Sequence, residues 1–185
     1  MRFLFKHYLM RLASIVTSGV GLTDMENSDE AEADRASVRI TCFQPQHIDG
    51  VCMIESSSFP NPFSRSFLME LSRKCPDTFL VAEKESQILG YVVAETYHGQ
   101  AHILSIAVRE DWRRRHLGSR LMYRLFEILK FKEVKDVVLE VRRSNIAARA
   151  FYESLGLKVA GNIRGYYEDG EDAEVYRLRL QDTSM

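Results

Sequence analysis

Between Trp112 and Leu129 the chain reads WRRRHLGSRLMYRLFEIL, and the leucines of this stretch most narrowly constrain the fold. Leu117, Leu121, Leu125 and Leu129, with Met122 and Phe126 beside them, recur every three or four residues and mark one face of a helix. A helix with one apolar face must lay it on something, and strand-like segments flank it at 102–108 and 136–142. In the second segment Val137, Leu139 and Val141 share one side, while Val138, Glu140 and Arg142 share the other.

The neighbouring sequence extends the pattern. Residues 38–43, rich in β-branched and aromatic side chains, read as a first strand. After Pro45, a helical stretch places Ile48, Val51, Cys52 and Glu55 at helical spacing, and Phe59-Pro-Asn-Pro-Phe ends it, because neither proline continues a helix. Ser64 is placed to cap a second helix reaching Lys74, with Phe67, Leu68 and Leu71 on its buried side. Segments 78–83 and 88–96 read as a hairpin across 84–87. Asn145 stands where a cap belongs, a helix runs from it to Leu155, and Gly156 takes the position just past its end. Segments 159–164 and 173–180 form a last hairpin around Asp169-Gly170. This order predicts an α/β sandwich with a mixed sheet.

Composition bounds the rest. The 185 residues, 45% of them apolar, suffice for one well-filled core. That domain is expected over 38–185, after an extension at 1–37 whose acidic run (Asp24, Glu26, Asp29, Glu30, Glu32, Asp34) reads as a solvated linker. At the front of the extension, Arg2, Lys6 and Arg11 are interleaved with Phe3, Leu4, Phe5, Tyr8, Leu9 and Leu12, which suits an incidental tail better than a targeting peptide, with Met25 an alternative start. Twenty-five basic against 26 acidic side chains leave a net charge of −1, without the basic excess of a nucleic-acid binder. No apolar run approaches the roughly 18 residues of a spanning helix. Cys42, Cys52 and Cys75 form neither a disulfide framework nor a zinc pattern, so a reduced, cytoplasmic setting without metal is expected.

Two places carry chemistry on their residues alone. From Val108 to Ser119 a loop feeds a helix N-terminus, where unpartnered amides and a positive dipole make an anion site, and Arg113, Arg114 and Arg115 add charge. A solvated basic helix start is the plainer account. In EVRRSNIAARAFYESLG, Asn145 and Tyr152 lie seven residues apart on one helix face, and Glu140 precedes them by one strand-to-helix turn. Capping, packing and a cross-strand ion pair would explain these three separately.

Taken with GYYEDGEDAEVYRLRL, the stretches HILSIAVREDWRRRHLGSRLM and LEVRRSNIAARAFYESLGL resemble the GNAT superfamily of N-acetyltransferases, most closely its RimI-like and archaeal-type N-terminal protein acetyltransferases. The resemblance covers about residues 38–180. It implies a mixed, mostly antiparallel central sheet with helices on both faces, acetyl-CoA as cosubstrate, and direct transfer to an amine in a ternary complex. The family's R-x-x-G-x-G/A signature falls on Arg113, His116 and Gly118, with histidine in the first glycine's place. Cofactor contacts carry over to Ile106, Ala107, Val108, Arg113, Arg114, Arg115, His116, Leu117, Gly118, Ser119, Asn145 and Tyr152. By the same likeness Glu140 and His102 are candidate bases and Tyr152 is the proton donor to the departing thiolate, while backbone amides of the 103–108 strand face the oxyanion. Phe59, Pro60 and Asn61 with Tyr166 and Tyr167 are expected to flank the acceptor, Asn61 replacing an acidic residue of many relatives. Protein N-termini are the implied partners, with a ribosome or auxiliary subunit beside them and neither nucleic acid nor membrane. The alternatives are transfer to lysine or a small amine, and a non-catalytic acetyl-CoA-binding module.

Overall fold

The computed structural model describes residues 37–180. The predicted extension and acidic linker lie outside the described residues, apart from Ser37. Seven strands form one sheet in the order β1-β2-β3-β4-β5-β7-β6. They are β1 (Arg39–Cys42), β2 (Phe79–Lys84), β3 (Gln87–Tyr97), β4 (Gln100–Val108), β5 (Asp136–Arg142), β6 (Lys158–Ile163) and β7 (Ala173–Arg179). Every neighbouring pair is antiparallel except β4 with β5. The helices are α1 (Ile48–Ser58), α2 (Arg65–Lys74), α3 (Leu117–Phe131) and α4 (Ile146–Ser154), with 3-10 turns at Pro45–His47 and Glu110–Trp112.

The predicted elements are all present, with ends shifted by a residue or two. The stretch after Pro45 opens as a 3-10 turn before α1 begins at Ile48. Ser64 caps α2, its Oγ accepting from the Phe67 amide at 3.2 Å. Asn145 Oδ1 accepts from the Ala148 amide at 3.0 Å and caps α4, and Gly156 follows that helix with φ +87°. The hairpin between β2 and β3 turns through Glu85 and Ser86, both with positive φ, as two-residue hairpin turns require.

Helices cover both faces of the sheet. Tyr91 of β3 points to α1, where its hydroxyl meets Glu55. At the preceding residue, Gly90, a Cβ would stand 3.3 Å from Leu121 of α3 on the other face. Gly50 of α1 packs against β3 so tightly that a Cβ there would come within 2.6 Å of Ile88. On α3, Leu117, Leu121, Met122, Leu125, Phe126 and Leu129 are the buried residues, the stripe read from the sequence. In β5 burial alternates as expected, with Val137, Leu139 and Val141 buried.

Truncating the stripe therefore costs stability. Leu125→Ala, at a fully buried position, is expected to lose about 2–5 kcal/mol. Phe131→Ala, at a position 90% exposed, is expected to stay within about 0.5 kcal/mol of the parent. Chemical denaturation of the two variants checks the contrast.

Candidate functional site

β4 and β5 pair over only three positions, Gln100 with Asp136, Ala101 with Val137 and His102 with Val138. Beyond His102, β4 continues to Val108 beside β3 alone, while β5 continues to Arg142 beside β7. A β-bulge lies at the same level: Val93 faces Ser105 and Ala94 faces Ile103, leaving Leu104 as the extra residue. A bulge bends its strand and increases twist, so it turns β4 away from its parallel neighbour. The result is a cleft whose β4 wall has an edge without a strand partner. The expected cofactor residues Ile106, Ala107 and Val108 lie along that wall.

His102 and Glu140 meet where the strands part. His102 Nε2 lies 2.6 Å from Glu140 Oε2, and each side chain is 14% exposed. Tyr166 also hydrogen-bonds the Glu140 side chain. Burial raises the Tyr166 phenol well above its ordinary value, and the negative charge of Glu140 adds to the effect. Its neighbour Tyr167 is buried, at 5.2 Å ring to ring from Tyr166, and lies 3.9 Å beneath the Arg142 guanidinium.

The β6–β7 loop that carries these tyrosines is bolted down by the DGED sequence. Asp169 Oδ1 accepts from the Glu171 amide at 3.1 Å, and Asp172 Oδ1 from the Gly165 amide at 2.9 Å. Gly170 adopts φ +83° between them. Glu171 reaches outside the loop, accepting from the Ser144 amide and from Arg142, both at 2.8 Å, and Arg142 also pairs with Asp169 at 2.7 Å. The motif thus fixes Tyr166 against Glu140 by tying its loop to the β5–α4 turn.

Tyr152 is fully buried on α4, its ring 6.2 Å from Tyr176. Its hydroxyl and that of Tyr167 are, among the described residues, buried oxygens with no hydrogen-bond partner. Burial lifts the Tyr152 phenol far above its usual value, with a smaller contribution from Tyr167. Two orphaned hydroxyls beside parted strands suit a polar ligand atom. Asn145 commits its side-chain oxygen to capping α4, so any contact with a cofactor would be additional.

At the other end of the cleft, α3 begins at Leu117 with no side-chain cap, and the amides of Leu117, Gly118 and Ser119 form its first turn. His116, in the glycine slot, does take the left-handed conformation, at φ +61°, and Arg114 does so at +63°. Arg113 points inward, its Nε donating to the Val108 carbonyl at 3.1 Å, and Arg115 lies over the Trp112 ring at 5.0 Å. These contacts tie both arginines to the loop, and the helix N-terminus beside them is of the kind that suits an anion. On the acceptor side Phe59 is buried while Pro60 and Asn61 are exposed, and Asn61 Nδ2 donates to Glu168 Oε2 at 3.3 Å, joining the two loops expected to flank the acceptor.

Sequence reading missed that link, the Tyr166–Glu140 bond and the role of Glu55, which lies fully buried in α1. A signal for Glu55 was present: it is a carboxylate on a stripe otherwise made of Ile48, Val51 and Cys52.

Comparison with known proteins agrees with this fold. The sequence profile described as "Acetyltransferase (GNAT) family" matches residues 48–157. The N-alpha-acetyltransferase of Sulfurisphaera tokodaii is 31% identical over 139 residues, covering 68% of this chain and 83% of the relative. The crystal structure of Ard1 from Thermoplasma volcanium superposes with a TM-score of 0.74 at 28% identity, covering 77% of this chain and 97% of that one. The ribosomal-protein-S18-alanine N-acetyltransferase from Escherichia coli gives 0.70 at 27% identity, covering 80% and 99%.

Left-handed backbone at a residue with a Cβ costs about 1–2 kcal/mol, and glycine removes most of that cost. His116→Gly is therefore expected to raise Tm by roughly 2–4 °C, about the shift that 1 kcal/mol produces in a domain of this size. Calorimetry checks it, and a lower Tm would show that the imidazole makes a stabilising contact exceeding the strain.

Proposed function

The chain belongs to the acetyltransferase (GNAT) family and is an acetyl-CoA-dependent N-acetyltransferase, and from that premise we propose that it acetylates the N-terminal α-amine of proteins. The observation that carries the reading is the His102–Glu140 hydrogen bond at the parting of β4 and β5, with Tyr166 bonded to the same carboxylate. The Sulfurisphaera relative is named for α-amine acetylation and the Escherichia coli structure for an alanine of a ribosomal protein, which supports the same acceptor class here.

Acetyl-CoA supplies an acetyl group activated as a thioester. In this reading the first-turn amides of α3, with those of residues 114–116, hold its pyrophosphate, and the edge of β4 that has left β5 orients the chain leading to the thioester. An α-amine titrates near pH 8, so only about a tenth is neutral at pH 7 and its proton needs an acceptor. The His102–Glu140 pair receives it, the two atoms being ends of one short hydrogen bond and acting as a unit. Tyr166 and the Arg142-clamped loop keep Glu140 in place. Tyr152, whose burial holds the proton on its oxygen, donates toward the departing sulfur. Phe59, Pro60 and Asn61 on one side and Tyr166 and Tyr167 on the other guide the acceptor, with Asn61–Glu168 spanning the gap between their loops.

The test is thiol release from acetyl-CoA with peptides varied at their first residue, each beside a copy whose α-amine is blocked and whose lysines are free. Turnover is expected to vanish on blocking. Survival would move the acceptor to lysine, and absence of turnover with every peptide would point to small amines or to a module that binds without transfer.

Two kinetic outcomes follow from the geometry. His102→Asn and Glu140→Gln are each expected to lower kcat by about 100-fold, and the double variant little further, because the residues form one proton-accepting unit. Multiplying losses would instead mean independent roles. For Tyr152 the sign comes from burial, which raises its pKa, so it stays protonated as pH rises. The rate of the parent is expected to climb through pH 8 as the amine deprotonates and to hold its plateau to about pH 10, while Tyr152→Phe lowers kcat at every pH.

A further inference from the structure

We propose that Glu55 is a positioning residue for the transfer reaction, holding the acceptor-side loop on the bulged part of β4. The side chain is fully buried in α1 and lies outside the residues assigned above to the cofactor, the proton transfer or the acceptor. A buried carboxylate is tolerated only when donors fill its lone pairs, and here they come from three separate parts of the chain. The Tyr91 hydroxyl of β3 donates to Oε1, Ser105 Oγ of β4 donates to the same oxygen at 3.3 Å, and the Phe63 amide donates to Oε2 at 2.6 Å. The Tyr91 and Ser105 hydroxyls are themselves 2.7 Å apart.

Those partners lie at places that matter to the site. Ser105 follows Leu104, the extra residue of the bulge, on the part of β4 that has left β5. Phe63 ends the loop that begins at Phe59, contains Asn61 and reaches Glu168 on the far loop. One carboxylate oxygen therefore holds the strand that lines the cleft, and the other holds the loop that faces the acceptor. A well-packed leucine would fill the same space without joining the two, so filling space alone does not account for a glutamate.

The proposal rests on the N-terminal acetyltransferase reading for its acceptor, and its test separates the two. Amide hydrogen exchange over residues 59–64 and the two Michaelis constants are measured for the parent, Glu55→Ala and Glu55→Gln. In Glu55→Ala exchange in that loop is expected to quicken, and the peptide KM to rise by about tenfold, roughly the effect of losing one charge-assisted hydrogen bond. The acetyl-CoA KM should change by less than about twofold, because the Tyr91 and Ser105 hydroxyls, 2.7 Å apart, bond to each other once the carboxylate is gone. Glu55→Gln is expected to restore both readouts, its Oε1 accepting from the Phe63 amide and its Nε2 donating to the hydroxyl oxygens. If Glu55→Ala does not fold, Glu55→Asp carries the test, since a side chain one methylene shorter draws back from the Phe63 amide. Unchanged loop exchange, or a fall in Tm with both KM values unaltered, would overturn the proposal. A parent that turns over no peptide would sink the acceptor reading alone, while loop exchange would still report on the tether.

Discussion

Everything at the site depends on two parallel strands that stop pairing after three residues. A parallel ladder normally continues as far as both strands run, because each lost rung leaves backbone groups to be satisfied elsewhere. Here β4 goes on to Val108 and β5 to Arg142 without meeting. The bulge at Leu104 supplies the bend, and α3, which joins the two strands in the chain, packs on β2, β3 and β4. The cleft is thus the direct consequence of one inserted residue and one covered sheet face. The same geometry puts His102, the last residue of β4 paired with β5, within hydrogen-bond reach of Glu140, two residues past its partner Val138.

A cleft between parted strands needs its far wall held still, and the charged residues around Arg142 do this. Burial works against the charge on Arg142, but its bonds to Glu171 and Asp169 outweigh that and raise its pKa. Asp169 is held below the ordinary carboxylate range, first by the Glu171 amide and then by Arg142. Single surface ion pairs contribute little. This set differs because it combines two ion pairs, the Ser144 and Glu171 amides and the Tyr167 ring around one guanidinium. Its effect is to choose one conformation for a loop that would otherwise have many, and Tyr166 inherits that choice.

The elements were legible because each is specified locally. Ser64 and Asn145 announce helix starts through bonds only three residues long, and the leucines of α3 and the alternation in β5 each carry a period that a single face explains. Motif resemblance brought His102, Glu140, Asn145 and Tyr152 into view together, but their mutual geometry was not in the sequence. His102 and Glu140 are 38 residues apart, Asn61 and Glu168 are 107 apart, and Glu55 reaches Ser105 across 50. No local rule predicts such contacts, since they depend on strand order and register that only the assembled sheet defines. The DGED sequence is an intermediate case: its turn was legible, while its hold on Arg142 and Ser144 required β5 and α4 to be in place.

The three arginines before α3 make contacts that the sequence alone does not show. RRR at a helix start invites the view that guanidinium groups hold an anion directly. Within the protein, Arg113 donates its Nε to the Val108 carbonyl, and Arg115 lies over the Trp112 ring. The turn has left-handed backbone at Arg114 and His116 and delivers the chain into α3 with no side-chain hydrogen bond capping its first turn. An anion there meets backbone amides whose direction is set by the helix, plus the dipole behind them. A histidine in the glycine slot is tolerable on this account, because the binding groups are N–H donors that every non-proline residue carries. Identity at that position sets the strain of the turn, while the N–H groups of the backbone are present whatever the side chain.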